Sequence, residues 1–128
     1  MIYIDTSVAL AELLAEDRRP DPKIWKQSLV SSRLLQYEVW TRLHARTLAS
    51  SHGDAARELL GGVAFLELAP EVLARALDPL PGTTRTLDAL HVASIEFLRS
   101  QRLPIELATF DGRMTTIARK LGIPLTSL

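Results

Sequence analysis

The sequence predicts an α/β fold in which helices cover both faces of a central parallel sheet. Short apolar runs alternate with stretches of helical periodicity along the whole chain, and this alternation is typical of parallel sheets. Two of the apolar runs, residues 1–4 and 105–110, are each followed by an aspartate and then by a helix-like stretch. Ligands bind at the carboxyl ends of the strands in such sheets, so Asp5 and Asp111 are predicted to share a cleft.

The individual helices and strands follow from periodicity, caps and breakers. Ser7 can cap a first helix, because a serine hydroxyl accepts from the first free amides. Pro70 begins a later helix at a favoured position, and Gly61 with Gly62 ends the helix before it. Strands are predicted at about 1–4, 28–31, 63–68 and 105–110, with an edge strand at 123–125, and helices at about 7–17, 32–50, 54–60, 70–77, 87–100 and 113–121.

Length and composition exclude several classes of protein. A chain of 128 residues is expected to form one domain over residues 1–128. The absence of cysteine excludes disulfides, thiolate catalysis and Cys-ligated zinc. No apolar run approaches the ~18 residues of a membrane span, and the N-terminus lacks the pattern of a signal peptide. We therefore expect a cytoplasmic protein without membrane association.

The charge balance restricts how a polyanion can bind. The chain has 15 basic and 15 acidic residues, whereas binding through bulk charge usually requires a basic excess. A polyanion must therefore be held by a local basic rim, by metal ions, or by both. Arg85 and Arg113 are the favoured phosphate contacts, because each lies within three residues of a candidate acid. Most other basic residues, including Arg18 and Arg42, are expected on the solvated surface.

Two further acids, Glu38 and Asp88, stand among apolar neighbours in helical stretches. Each candidate acid also has a structural interpretation. The helix dipole stabilises an acid at the position of Asp88, Glu38 can pair with Arg42, and Asp5 and Asp111 suit turns. Taken together, however, four acids at strand ends or helix starts on one edge of the sheet favour a functional cluster.

A cluster of four carboxylates requires cations. Two carboxylates ~4 Å apart repel by ~4 kcal/mol at an effective dielectric constant of about 20, so four would take up protons unless cations neutralise them. Oxygen donors without cysteine favour the hard ions Mg²⁺ or Mn²⁺. A pair of such ions can activate water and stabilise the leaving oxygen of a phosphodiester. The predicted chemistry is metal-dependent hydrolysis at phosphorus.

The segments around these acids resemble the PIN-domain nucleases, and most closely the VapC-type ribonuclease toxins of bacterial toxin–antitoxin pairs. The resemblance spans nearly the whole chain, and the run around Asp88 is its most specific part. One departure is the compressed, proline-interrupted region 18–29, where the family often has a longer helical arm. The matching segments are Tyr3-Ile4-Asp5-Thr6-Ser7, the helical Glu38, Leu87-Asp88-Ala89-Leu90-His91-Val92-Ala93, and Thr109-Phe110-Asp111-Gly112-Arg113.

The resemblance implies a fold, a site and an activity. The fold would be a PIN-like three-layer α/β/α domain, and the enzyme an endoribonuclease with one or two Mg²⁺ or Mn²⁺ ions. As the toxin of a type II pair it would inhibit translation and growth, form a homodimer, and accept the C-terminal segment of a cognate antitoxin in its cleft. By position, the catalytic and metal-binding residues would be Asp5, Glu38, Asp88 and Asp111, with Thr6, Ser7 and Thr109 as supporting hydroxyls.

Other functions remain to be compared with this one. A non-catalytic PIN-fold module that binds RNA or a protein is the alternative, although the presence of all four acids argues against a decayed site. A haloacid dehalogenase needs a second aspartate two residues after Asp5, where Ser7 stands, and a receiver domain needs paired acids at the first strand. His91, one turn after Asp88, is expected to pack or hydrogen-bond near the cleft rather than transfer protons.

Overall fold

A computed structural model describes all 128 residues, Met1–Leu128, as a parallel sheet between two layers of helices. This confirms the predicted fold class. The strands are β1 (Ile2–Ile4), β2 (Leu29–Ser32), β3 (Val63–Leu66) and β4 (Glu106–Ala108), and they lie in the order β3-β2-β1-β4. The helices are α1 (Thr6–Leu13), α2 (Leu34–Ala45), α3 (Ala49–Gly61), α4 (Pro70–Leu77), α5 (Thr86–Ser100) and α6 (Gly112–Lys120), with a short 3₁₀ helix at Pro22–Lys26.

Two apolar clusters, one on each face of the sheet, hold the layers together. Successive residues of a strand point to opposite faces, so Ile4 and the preceding Tyr3 enter different clusters. The cluster around Ile4 contains buried residues of α1, α2 and α3, whereas the cluster around Tyr3 contains buried residues of α5 and α6. Every helix in the structure is too short or too polar to cross a membrane.

The strand order creates a crevice next to β1. This strand pairs with β2 on one side and with β4 on the other, so the connections that leave β1 and β4 diverge at their carboxyl ends. A ligand site is expected at such a switch point. Asp5 leaves β1 as the N-cap of α1, and Asp111 follows β4 as the N-cap of α6. The two ends of the sequence therefore meet at one edge of the sheet.

Several predicted boundaries are wrong for local reasons. The first helix ends at Leu13 because Ala15 adopts a left-handed backbone conformation, with φ 49°. The predicted helix 32–50 ends at Ala45, since Thr47 has φ 54°, and the next helix begins at Ala49 instead of 54. The predicted edge strand 123–125 is reduced to a single bridge between Leu125 and Leu107.

The packing of α2 against the sheet predicts how much a core substitution lowers the free energy of unfolding. Leu43 is fully buried in the cluster around Ile4. Leu43→Ala is expected to lower the free energy of unfolding by ~2–5 kcal/mol, because it removes buried methyl groups and leaves a cavity. Urea titration measures the change. Leu128→Ala, at the exposed C-terminus, is the control and should shift stability by less than ~0.5 kcal/mol. Equal effects of the two substitutions would contradict this packing.

Candidate functional site

A cleft of about 650 Å³ opens where β1 and β4 end. Three of the four candidate acids line it: Glu38 from α2, Asp88 from the first turn of α5, and Asp111. Asp5 is only 4% exposed, and its neighbours Thr6 and Ser7 form part of the wall. The four acids are thus arranged around one cleft, with one of them buried.

The buried Asp5 carboxylate is surrounded by donors from its own chain. Its Oδ1 atom accepts from the Ser7 amide at 3.0 Å, from Ser7 Oγ at 2.5 Å and from the Val8 amide at 3.4 Å. Its Oδ2 atom accepts from Thr109 Oγ1 at 2.5 Å. Burial raises the pKa of the Asp5 carboxyl above its ordinary value, and the hydrogen bonds from Ser7 and Thr109 oppose that rise. The carboxylate is therefore fixed in one orientation.

The same two hydroxyls join the ends of β1 and β4. Ser7 Oγ accepts from the amide of Phe110 at 2.9 Å, and Thr109 Oγ1 accepts from the amide of Asp111 at 2.9 Å. These amides donate to side-chain oxygens and not to carbonyls of a neighbouring strand. This explains why β4 ends at Ala108, although the apolar run 105–110 predicts a longer strand.

Glu38 is held by a hydroxyl and a histidine. Its Oε1 atom accepts from Thr6 Oγ1 at 2.8 Å and lies 2.6 Å from His91 Nε2. The predicted alternative, a pair with Arg42, is not formed; Glu38 contacts His91 instead. His91 therefore hydrogen-bonds at the cleft, in the position expected from the sequence.

Tyr3 is a neighbour of the site that sequence reasoning missed. Its hydroxyl lies 2.6 Å from His91 Nδ1 and accepts from the Ser32 amide at 3.1 Å. Burial raises the pKa of Tyr3 well above its usual range. A signal was available, because a tyrosine in a fully buried strand must find a partner for its hydroxyl.

Asp88 has an unsatisfied oxygen. Its Oδ2 atom is buried and has no hydrogen-bond partner. Leaving a buried acceptor unsatisfied costs ~1–3 kcal/mol, and more when the group is charged. By contrast, Asp111 accepts from the Arg113 amide at 2.8 Å as the cap of α6. The cleft therefore contains a buried carboxylate oxygen that no donor of the chain satisfies.

The donor set suits a hard cation, although its geometry is not that of a completed site. No three His, Asp or Glu side chains lie close enough together to hold a metal ion as they stand. Donors of the chain occupy both oxygens of Asp5 and one of Glu38. The donors around the cleft are carboxylates without sulfur, as Mg²⁺ and Mn²⁺ require, and the Asp88 oxygen lacks a partner. The residues therefore fit such an ion in the chemistry of their donors.

The arginines are arranged differently from the sequence expectation. Arg85 lines the cleft, but Arg113 lines a separate groove beside α6. Arg18 and Arg42 are exposed, as expected, and they also line the cleft. The Arg18 guanidinium lies 5.3 Å from the centre of the Phe110 ring, and its Nη2 donates to the Phe110 carbonyl at 3.3 Å. Three arginines therefore stand beside the acids.

The fold and the position of the cleft define a class of protein. The family model described as "PIN domain" matches residues 2–120, and the chain belongs to the PIN-domain family. Within that family its resemblance to the VapC-type proteins is confirmed by two curated relatives from strains of Mycobacterium tuberculosis. Ribonuclease VapC46 is 34% identical, with 95% of this chain and 93% of the relative covered. Ribonuclease VapC47 is 28% identical, with 99% and 96% covered.

A solved structure supports the same fold. VapC20 of Mycobacterium tuberculosis, described as a toxin that cleaves the sarcin–ricin loop, superposes with a TM-score of 0.65. The alignment covers 91% of this chain and 94% of that one at 19% identity. At this identity the likeness concerns the architecture alone.

The raised pKa of Asp5 predicts a pH-dependent stability. The folded chain binds this proton more tightly than the unfolded chain does. In buffer with EDTA, this group therefore makes the free energy of unfolding fall as the pH rises from ~4, the ordinary carboxyl value, through the higher folded pKa. Asp5→Asn has no carboxyl to titrate at this position. The free energy of unfolding of the variant, minus that of the native protein, should therefore increase as the pH rises through this range.

Urea titrations at a series of pH values test this expectation. Asp21→Asn is the matched control, because Asp21 is an exposed cap that accepts from the Lys23 amide. A stability difference between Asp5→Asn and the native protein that stays constant with pH would contradict the effect of burial on this carboxyl.

Proposed function

We propose that the protein is an Mg²⁺- or Mn²⁺-dependent endoribonuclease and the toxin of a type II toxin–antitoxin pair. The observation that carries the proposal is the buried, unpartnered Oδ2 of Asp88 in a cleft that Glu38 and Asp111 also line. An orphaned carboxylate oxygen beside other acids calls for a cation, and such a cation suits hydrolysis of phosphodiesters. Both curated relatives bear the name ribonuclease, which supports RNA as the substrate.

Four carboxylates would hold one or two ions: Asp5, Glu38, Asp88 and Asp111. Oδ2 of Asp88, Oε2 of Glu38 and Oδ2 of Asp111 are among the oxygens that accept no hydrogen bond from the chain. Ser7 and Thr109 orient Asp5, and Thr6 orients Glu38. When bound, a divalent ion supplies an activated water and charge stabilisation for the leaving oxygen.

The arginines of the cleft would hold the RNA. With a net charge of zero, attraction for the phosphate backbone must be local. Arg18, Arg42 and Arg85 line the cleft and place cations next to the acids. They suit the phosphates on either side of the bond that is cut, so we favour a single-stranded or loop substrate that can enter the cleft. Arg113, in the neighbouring groove, would contact only a longer RNA.

The biological setting follows from the same assignment. As a toxin acting in the cytoplasm, the enzyme would inhibit translation and growth until a cognate antitoxin covers the cleft with its C-terminal segment. The 128 residues would form one nuclease domain that pairs as a homodimer. Leu73 and Leu77 of α4 are exposed, and apolar side chains of this kind offer a surface for the second copy.

Cleavage by a variant of Asp88 tests the mechanism. We expect native protein to cut single-stranded RNA in Mg²⁺ and to stop when EDTA is added. Asp88→Ala should lower the rate at least ~100-fold, since it removes a carboxylate that would hold the ion. It should not lower the melting temperature, because it removes an unsatisfied buried oxygen.

The control is Asp54→Ala, which removes an exposed aspartate of α3 paired with Arg57 at 3.0 Å. This variant should cleave at the native rate. Cleavage that persists in EDTA would reject the metal mechanism. Normal binding of metal without cleavage of any RNA would indicate the alternative, a non-catalytic PIN-fold module that binds RNA or a protein.

The chemical ends of the products provide an independent test. In-line attack by water with loss of the 3′-hydroxyl leaves a 5′-phosphate on the downstream fragment. Mass spectrometry of the fragments should detect that end. Fragments with 2′,3′-cyclic phosphates would mean that the ribose hydroxyl attacks instead, as in acid–base catalysis without metal.

A further inference from the structure

A buried row of hydrogen bonds connects the sheet to Glu38. We propose that Tyr3 and His91 are positioning residues, which act in relay to hold Glu38 so that its second oxygen is available to a divalent cation. The inference rests on the proposed function, since it concerns the same cleft. It adds two residues to that site, one of them on the first strand and remote from the cleft wall.

The relay crosses three layers of the fold. The Ser32 amide of β2 donates to the Tyr3 hydroxyl of β1 at 3.1 Å, and this hydroxyl lies 2.6 Å from His91 Nδ1 of α5. His91 Nε2 in turn lies 2.6 Å from Glu38 Oε1 of α2. Tyr3 is 0% exposed and His91 is 3% exposed. Water therefore has little access to these bonds, and each one restricts the next group.

The directions of the bonds assign a tautomer to His91. A backbone amide can only donate, so the Ser32 N–H occupies a lone pair of the Tyr3 oxygen. The Ser31 and Ser94 hydroxyls also lie near the Tyr3 oxygen, but they donate their own protons to the carbonyls of Ile4 and Leu90. The contact with His91 Nδ1 at 2.6 Å is the shortest hydrogen bond of the Tyr3 hydroxyl, and we assign the phenol proton to it. The Nδ1 atom then carries no hydrogen, and Nε2–H donates to Glu38 Oε1. Tyr3 thereby turns the imidazole into a donor aimed at the carboxylate.

A histidine donor of this kind would restrict the orientation of a flexible side chain. Glu38 has no Lys or Arg partner in the structure; its contacts are Thr6 and His91, both to Oε1. Outer residues that orient a metal-binding carboxylate typically change metal affinity 10–100-fold. His91 also lies one turn after Asp88 on α5. A single helix would therefore place one acid directly and another through its histidine.

The first experiment observes the tautomer without metal or RNA. In protein with ¹⁵N-labelled histidine, long-range ¹H–¹⁵N spectra should show His91 protonated at Nε2 and unprotonated at Nδ1. In Tyr3→Phe the phenol donor is missing, so this preference should be lost. A native His91 that carries its proton on Nδ1 would overturn the proposed direction of the relay.

The second experiment measures Mn²⁺ affinity by electron paramagnetic resonance of the free ion. Tyr3→Phe and His91→Asn should each weaken binding by ~10-fold or more. His91→Gln should retain most of the affinity, because the glutamine amide can reach the place of Nε2 whereas the shorter asparagine cannot. Tyr37→Phe is the matched control and should bind as the native protein does, since Tyr37 precedes Glu38 but is 66% exposed.

The outcomes separate this inference from the proposed function. Native protein that binds Mn²⁺, with His91→Asn and His91→Gln binding equally well, overturns the relay alone. Native protein that binds no Mn²⁺ overturns both proposals. A purely structural role for His91 predicts that its variants lower the urea midpoint and leave the Mn²⁺ affinity unchanged, so stability is measured in parallel. Should Tyr3→Phe fail to fold, the two His91 variants decide the question.

Discussion

The site depends on a carboxylate that is buried before any ligand arrives. Asp5 sits at the end of the central strand β1, and Ser7 and Thr109 supply it with hydroxyl donors from two distant parts of the chain. The same hydroxyls accept the amides of Phe110 and Asp111. Burial disfavours the charged form of Asp5, and these bonds oppose that effect only in part, since the pKa of the carboxyl remains raised. The acid and the junction of β1 with β4 therefore stabilise one another.

The other acids depend on the helices that surround this junction. Glu38 comes from α2 and Asp88 from α5, and these helices pack on opposite faces of the sheet. The cleft is thus a seam between the two helical layers, at the point where the strand order reverses. Its acids lie in the three layers of the fold. They share one cleft, but no three of them lie close enough together to hold one metal ion as they stand.

The sequence predicts the parts of this arrangement that depend on local patterns. Alternating apolar runs and helical periods are sufficient for the parallel sheet, and Asp5 and Asp111 follow from their positions after strands. Helix ends are less predictable, since Thr47 and Ala15 break helices through backbone angles that their residue types do not favour. Arg18 and Arg42 face the cleft only because of the path of the folded chain. Tyr3 resembles any apolar strand residue until its hydroxyl partner is known.

The hydrogen bonds that Asp5 accepts from its own chain have a consequence for the stability of the fold without a ligand. Because Ser7 and Thr109 already hydrogen-bond the buried carboxyl, contacts within the chain are sufficient to build this part of the cleft wall. If the proposed function holds, removal of the divalent ion would stop cleavage and leave the chain folded. Activity would then return with the ion, without a round of refolding.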